Sequence, residues 1–422
     1  MVSADDPITY AEKRRSYKRR VLRKNSSCIT GSSQSNFTEH DSSEDDLTSD
    51  LLSHGTSMLF NLLPRKWEVV QPYYLENVNF RICTYNVLSQ NIIDRTVFLY
   101  EHLLSSESRH HEISWSYRSA LLAKEFGLIG ADVFCLQEVQ NDHYEIFFRP
   151  TMEKAGYRGI YKKRADPLVD GCAIFYRADF ELVYHKDIEF VFGSEKSFNH
   201  GNVAQVVRLR TKDGGEVCVT NTHLLFNRRL GHVKIAQAVR LLASIYEATP
   251  DSCPFIMCGD FNMQPESPMC NFISDGFLPF ANLKQFEVSG QGGSGGSVLR
   301  PDLFPIGIHR HEKNFNNRDA FVHNLKFASA YCHVTEDLKP EISAFQSEKA
   351  CNPDFIFYSI EDKILHEKPR SPCILEIREG QLHLVRRLTL PSELLLRSTI
   401  GPWPNFTTPS DHIPLVVDFA LL

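Results

Sequence analysis

Two short segments carry the side chains best suited to chemistry. Gly259-Asp260-Phe261-Asn262 sets a carboxylate and a carboxamide at the end of an apolar run, 254–260, and Ser410-Asp411-His412 sets a carboxylate and an imidazole just ahead of another, 413–420. An imidazole exchanges a proton near neutral pH, and a carboxylate at a strand end can orient or deprotonate a water. Other strand-like runs repeat the arrangement: 80–88 carries Asn86, 132–139 carries Glu138, 216–224 carries Asn221 and His223, and 355–360 follows Asp354. Hydrolysis of a phosphate ester needs all of these parts: a metal to neutralise oxygens, a group to activate water, and donors for the charge on phosphorus.

Each residue type suggests a role. Glu138 is the metal-ligand candidate, since a hard carboxylate at a strand end suits a magnesium ion that keeps several waters. Asn86 and Asn262 are neutral and can position a ligand, a phosphate oxygen or a water without adding repulsion. Asp260 is suited to the attacking water. His412 works best with a carboxylate on its other ring nitrogen; Asp354 is the choice for it, with Asp411 turned to the metal side or to a supporting role. His223 would donate to a phosphate oxygen. Asn221 is a substrate-contact candidate with a turn-forming role as the alternative, and Lys163, like Lys162, is a phosphate contact or a plain surface lysine. A single Asp or Asn at a strand end is more often a turn former than a catalyst. The set is stronger than its members, because Glu138 and Asp260 follow fully apolar runs where an unpaired charge is costly.

These residues need a rigid frame. The apolar runs read as buried strands delivering polar groups at their ends. If the strand ending at Asp260 and the strand following His412 are antiparallel neighbours, their four side chains converge on one sheet edge. Between the strands, 114–130 has Leu122, Phe126 and Ile129 at helical spacing with Ser114 placed to cap, and 231–248 has Ile235, Ala238, Leu242 and Ile245 in the same relation. Site residues lie both after and before strands, so the pattern predicts an α/β sandwich, sheets covered by helices on their outer faces, rather than a purely parallel doubly wound sheet.

Composition narrows the rest. With 422 residues and 42% hydrophobic content the chain can hold a substantial core. No run approaches the roughly 20 apolar residues that span a bilayer, and the N-terminus lacks the apolar core of a secretory signal, so the expectation is a cytoplasmic or nuclear protein without membrane contact. The formal net charge of −6 argues against coating nucleic acid through a broad basic face, leaving contact with an end or a few nucleotides. Eleven cysteines without a C-x-x-C pair read as reduced, largely core residues. Residues 1–62 read as a disordered polar tail ahead of a catalytic domain over 63–422. In that tail, Tyr17-x-x-x-x-Leu22 is the skeleton of a docking motif for a cap-binding translation factor, although Arg23 follows where an apolar residue is expected. The run Gly290-Gln-Gly-Gly-Ser-Gly-Gly-Ser297 reads as a flexible loop rather than a phosphate-binding one, since neither a strand before it nor a helix after it is visible.

The ordered motifs Thr84-Tyr-Asn86-Val-Leu88, Leu136-Gln-Glu138-Val139, Asp170-Gly-Cys-Ala-Ile-Phe-Tyr176, Asn221-Thr-His223-Leu224, Gly259-Asp260-Phe-Asn262, Asp354-Phe-Ile-Phe-Tyr358-Ser and Ser410-Asp411-His412 resemble the endonuclease/exonuclease/phosphatase superfamily over residues 80–420. Leu88 stands where apurinic-site endonucleases carry an acidic residue, and Pro353-Asp354-Phe355-Ile356 replaces the Trp-Cys-Asp-Arg signature of inositol polyphosphate phosphatases. The motifs resemble instead the nocturnin-like deadenylase branch, and Ser114-Trp-Ser-Tyr-Arg118 with Val233-Lys-Ile-Ala-Gln237 is similar to its Angel proteins. This resemblance implies a four-layer α/β sandwich of two mixed sheets packed face to face, dependence on magnesium with manganese as the other candidate, and single-stranded RNA 3′ ends, of mRNA or tRNA, as substrate. It also implies removal of 2′,3′-cyclic phosphates. Carried over by motif, Glu138 becomes the metal ligand, Asp260, Asn262 and His412 the central catalytic residues, and Asn86, His223, Asp354 and Asp411 their supports. The alternatives are a 3′→5′ exoribonuclease acting on poly(A) and a catalytically idle protein that binds RNA or a translation factor.

Overall fold

The computed structural model describes residues 65–104, 111–249, 253–293, 296–304, 320–335, 337–346, 349–364, 377–399 and 401–422. The N-terminal tail and its Tyr17 motif lie outside the described residues. Successive side chains point to opposite faces of a strand, and the central strands are apolar on both, so each of these has two buried faces. In Phe80–Asn86, Phe80 and Ile82 point into the central core while Cys83 and Tyr85 point the other way. Phe255–Asp260 divides likewise, with Ile256 and Cys258 inward and Phe255 and Met257 outward. Two-sided burial demands a layer on each side, and a sandwich of two sheets supplies it.

The first sheet has seven strands in the order Trp67–Val69, Leu382–Leu388, Leu415–Leu421, Phe80–Asn86, Val133–Gln140, Asp170–Arg177 and Tyr157–Lys163. The second has six: Phe327–Ser329, Asp354–Ser359, Phe255–Asp260, Glu216–His223, Val203–Arg210 and Glu181–Glu189. Each is mixed, with one parallel pair, Phe80–Asn86 beside Val133–Gln140 in the first and Glu216–His223 beside Phe255–Asp260 in the second. The inner faces meet across Val133, Ile174, Val207, Val219, Ile356, Leu415 and Phe419. Trp115–Ile129 covers the outer face of the first sheet through Leu122, Phe126 and Ile129. It starts at Ser114, whose hydroxyl accepts from the Tyr117 amide, and stops at Gly130 in the left-handed region. Gly231–Ala248 covers the second sheet through Ile235, Ala238, Leu242 and Ile245. The four-layer α/β sandwich expected from the sequence is therefore the fold. Among the described residues no helix is long and apolar enough to cross a membrane. Of the nine described cysteines all are free, and Cys83, Cys135, Cys172, Cys218 and Cys258 are buried.

One condition left open by the sequence is not met. The strand that ends at Asp260 and the strand that follows His412 are not neighbours but belong to opposite sheets. The antiparallel partner of Phe255–Asp260 is Asp354–Ser359, and its register sets Asp354 directly across from Asp260. The parallel partner on the other side sets His223 beside Asp260 as well. Gly259 permits this close pairing: at φ +154° a Cβ there would lie 2.2 Å from the Thr222 carbonyl oxygen. Gly259→Ala is expected to force the two strands apart and cost about 2 kcal/mol, read as a lower urea midpoint with an unchanged slope.

Candidate active site

The inner face of the sandwich is apolar along most of its length and becomes polar at one end. By alternation Asn86, His223, Asp260 and Asp354 all share the parity of the inward residues on their strands, so each points between the sheets at that end. Glu138 does not share it. Leu136 faces the outer helix layer, and strict alternation would send Glu138 the same way. A β-bulge intervenes: Leu136 pairs with Ala173 and Val139 with Gly171, so one strand advances three residues while its partner advances two. Glu138 takes φ +58° inside that bulge, and its carboxylate turns to Asn86.

The Asn86 carboxamide is the hub. Its Nδ2 donates to Glu138 Oε1 at 3.1 Å and to Asp260 Oδ2 at 3.0 Å, while its Oδ1 accepts from the Leu88 amide at 3.1 Å. Glu138 Oε2 accepts from the Ser89 amide at 3.0 Å. Asp260 Oδ1 accepts from the Asn262 amide at 2.9 Å, and Asn262 Nδ2 donates to the Leu224 carbonyl at 3.0 Å. Two imidazoles face Asp260 Oδ2, His223 through Nε2 at 3.5 Å and His412 through Nε2 at 3.8 Å. His412 Nδ1 is 2.8 Å from Asp354 Oδ2, which also accepts from Ser343 Oγ at 2.6 Å. Asp354 is thus the carboxylate that orients His412. Asp411 turns elsewhere, its Oδ2 accepting from Tyr100 and from Gln346, each at 3.1 Å. Ser410 joins the sheets' contributions, since its hydroxyl donates to the Asn86 carbonyl at 2.6 Å and accepts from the His412 amide at 3.2 Å.

The electrostatics follow from burial. Burial disfavours the His412 imidazolium, but Asp354, bonded to it, with Asp260 and Asp411 nearby, outweighs that and holds its pKa well above the ordinary histidine value. Glu138 is pushed up chiefly by burial, eased by His223, and raised again by the charges of Asp411 and Asp170. Leu88, Glu138 and Asn262 hold left-handed φ values of 55°, 58° and 49°. Such backbone costs about 1–3 kcal/mol per residue and persists only where its surroundings over-determine it, as these hydrogen bonds do.

Two sequence candidates are not brought to the site. Asn221 is fully buried and spent on holding the sheets together: its Nδ2 donates to the Leu136 and Ala173 carbonyls of the first sheet, each at 2.9 Å, and its Oδ1 accepts from Gln137 at 2.7 Å. No atom of that carboxamide is left for a substrate, nor does it form a turn. Lys163 ends the edge strand of the first sheet, two strands beyond Val133–Gln140, with its ammonium on Asp166 at 2.6 Å. At about 4.8 Å per strand this places it roughly 10 Å from Glu138 along the sheet.

A family model described as the endonuclease/exonuclease/phosphatase family matches residues 83–412. The chain belongs to the endonuclease/exonuclease/phosphatase family. Within it the chain is 34% identical over 385 residues to protein angel homolog 2 of Bos taurus, a match covering 81% of this chain and 69% of the relative. The crystal structure of ANGEL2, a 2′,3′-cyclic phosphatase, in complex with adenosine-2′,3′-vanadate, aligns with a TM-score of 0.74 at 33% identity over 85% of this chain and 98% of that one. The human nocturnin catalytic domain with bound sulfate shares the fold, with a TM-score of 0.52 at 22% identity over 85% of this chain and 97% of that one.

The endonuclease/exonuclease/phosphatase family is generally dependent on a divalent metal, and the donor set here fits one. Ligand-type atoms of Asp260, Asp354 and His412 lie within 4.8 Å of one another, but Asp354 and His412 are hydrogen-bonded together and so are already partnered without a metal. Glu138 fits a metal better: its carboxylate is raised first by burial and then by the charges of Asp411 and Asp170, and a cation would offset both.

Arg118 is a residue that sequence reading passed over, because an Arg on an amphipathic helix usually faces solvent. Here it is fully buried, donating to the Pro409 carbonyl through Nε, to Gln90 Oε1 at 2.9 Å, and to the Val87 and Leu88 carbonyls. One guanidinium thereby ties the loop after Asn86 to the loop carrying Asp411 and His412. Burial lowers its pKa to about 10, so the charge is retained at neutral pH. Arg118→Met leaves these carbonyls unsatisfied and is expected to cost about 3 kcal/mol, measurable as a shift in the urea unfolding midpoint.

Proposed function

We propose that the protein is a magnesium-dependent phosphoesterase that hydrolyses 2′,3′-cyclic phosphate at RNA 3′ ends, with manganese as a substitute metal. The observation that carries this reading is the convergence of Asn86, Glu138, His223, Asp260 and the Asp354–His412 pair at one end of the inter-sheet core. The likeness to a 2′,3′-cyclic phosphatase seen with adenosine-2′,3′-vanadate supports the choice of ester. A terminal cyclic phosphate also suits a mildly acidic protein, because only the last ribose need enter and no broad basic track is required.

The residues divide the work. Asp260, with one oxygen fixed by the Asn262 amide, orients water for attack on phosphorus and takes its proton. As the new oxygen–phosphorus bond forms, the bond from phosphorus to one ribose oxygen breaks. His412, kept protonated by Asp354, donates to the departing oxygen, and His223 donates to a phosphate oxygen. A divalent metal held by Glu138 would supply charge neutralisation to the phosphate, while Asp411, bonded to Tyr100 and Gln346, adds negative charge nearby. Asn86 holds Glu138 and Asp260 at fixed separation, so metal side and water side keep their geometry.

The test uses the full chain, magnesium, and RNA oligomers ending in a cyclic phosphate or in an adenylate tail. The reading expects the cyclic end to be converted with the chain length unchanged. A ladder of shortened products from the adenylate tail, with the cyclic end untouched, would replace it with a poly(A) exoribonuclease.

A further inference from the structure

Lys234 is the only lysine buried among the described residues, and the chemistry above does not use it. It leaves the first turn of Gly231–Ala248 and is 0% exposed. Its Nζ donates to the main-chain carbonyl of Asn262 at 2.6 Å and to Gln291 Oε1. Both acceptors are neutral, and burying an ammonium without a bonded carboxylate is expensive. Burial accordingly lowers its pKa to about 7, with Asp260 the neighbour that offsets the loss. A leucine would fill the same space without that cost, so the two oxygens it holds account for the charge.

Both oxygens belong to segments that need holding. Asn262 sits at φ +49°, immediately beyond Asp260. Gln291 belongs to the glycine-rich run that composition marks as flexible, yet the residues leading into it are anchored and bond to Gln291. The Gln264 amide donates to the Ser289 carbonyl at 2.8 Å, the Met269 amide to the Val288 carbonyl at 3.0 Å, and Ser289 Oγ to Gln291 Oε1 at 3.0 Å. The helix start presses against the stretch ahead of that run, since a Cβ on Gly231 would lie 2.1 Å from the Gln285 carbonyl oxygen.

We propose that Lys234 is a positioning residue for the catalytic loop: it holds Asn262 in its left-handed conformation and couples that loop to the docked segment 285–293 through Gln291. The inference rests on the phosphoesterase reading, in which Asp260, held by the Asn262 amide, meets the attacking water. Lys234 touches neither substrate nor metal. It sets where Asn262 and Asp260 stand, and a displacement of about 1 Å in such a group can lower turnover about a hundredfold.

Steady-state kinetics on the cyclic-phosphate oligomer, with the full chain and its Lys234→Met and Gln291→Ala variants, separate positioning from packing. Lys234→Met is expected to lower kcat about 10- to 100-fold with KM changed less than about threefold. Gln291→Ala, which spares the helix core, is expected to lower kcat several-fold and carries the test alone if the lysine variant does not fold. Wild-type kcat in both variants, wild-type kcat in Gln291→Ala where the lysine variant does not fold, or a rise in KM alone overturns the proposal. A wild-type chain that leaves the cyclic end untouched counts against the phosphoesterase reading only. The crystal structure of the lysine variant then decides: Asn262 leaving its left-handed backbone supports the proposal, and Asn262 unchanged overturns it.

Discussion

Asp260→Asn is expected to lower kcat on a cyclic-phosphate RNA end by roughly a thousandfold or more while KM changes little. The substitution keeps volume and shape, so the apolar strand behind it, Phe255–Asp260, retains its packing. What it removes is the charge on the oxygen that faces Asn86 Nδ2 at 3.0 Å and the two imidazoles of His223 and His412. An amide cannot take a proton from water, and an NH2 turned toward Asn86 and the histidines would set donor against donor. The amide can still present an oxygen to the Asn262 amide, which preserves the backbone beyond it. Loss of activity with a melting temperature within about 5 °C of wild type is therefore the expected pair of results, since the strand keeps its core contacts.

Asp354→Asn should lower kcat about a hundredfold, and adding it to His412→Ala should cost almost nothing further. The two side chains act as one unit through the 2.8 Å contact, so their effects do not add. The pH dependence gives the sign independently. In the wild type, burial works against the imidazolium but the carboxylates around it hold the His412 pKa well above the ordinary value, so a step that needs the protonated ring survives into alkaline solution. Without the Asp354 charge the ring loses its proton at lower pH, and the alkaline limb of kcat against pH should move down. A limb that stays in place would assign that titration to another group.

Much of the site was legible because strand ends are legible. Asn86, Glu138, His223 and Asp260 follow apolar runs and Asp354 precedes one, and the change from apolar to polar residues marks the end of each strand. Sheet membership was not, since period two is the same in either sheet. Hence the sequence leaves open whether the strand ending at Asp260 and the strand following His412 are neighbours, and they stand in opposite sheets. Nor does alternation reveal the bulge that turns Glu138 inward, because an inserted residue looks like any other in an apolar run. Asn221 shows the same limit: a polar residue near a strand end reads as a substrate contact or a turn former unless a second sheet is known to lie opposite, and here it bonds that sheet. Arg118 and Lys234 sit on helices whose apolar stripes were recognised, and long cationic side chains there ordinarily reach solvent. The available signal was the run Val233-Lys-Ile-Ala-Gln-Ala-Val239, in which Lys234 and Gln237 are enclosed by apolar residues and both are buried.

The proposed site hydrolyses the cyclic phosphate at an RNA end without shortening the chain. A phosphorus NMR time course follows that ester directly, using an oligonucleotide with a 2′,3′-cyclic phosphate, the full chain and magnesium, beside Asp260→Asn as control. The cyclic resonance should disappear with the wild type, remain with the variant, and leave oligonucleotide length unchanged by mass. A cyclic resonance that persists while internal linkages are cut to mononucleotides would contradict the account.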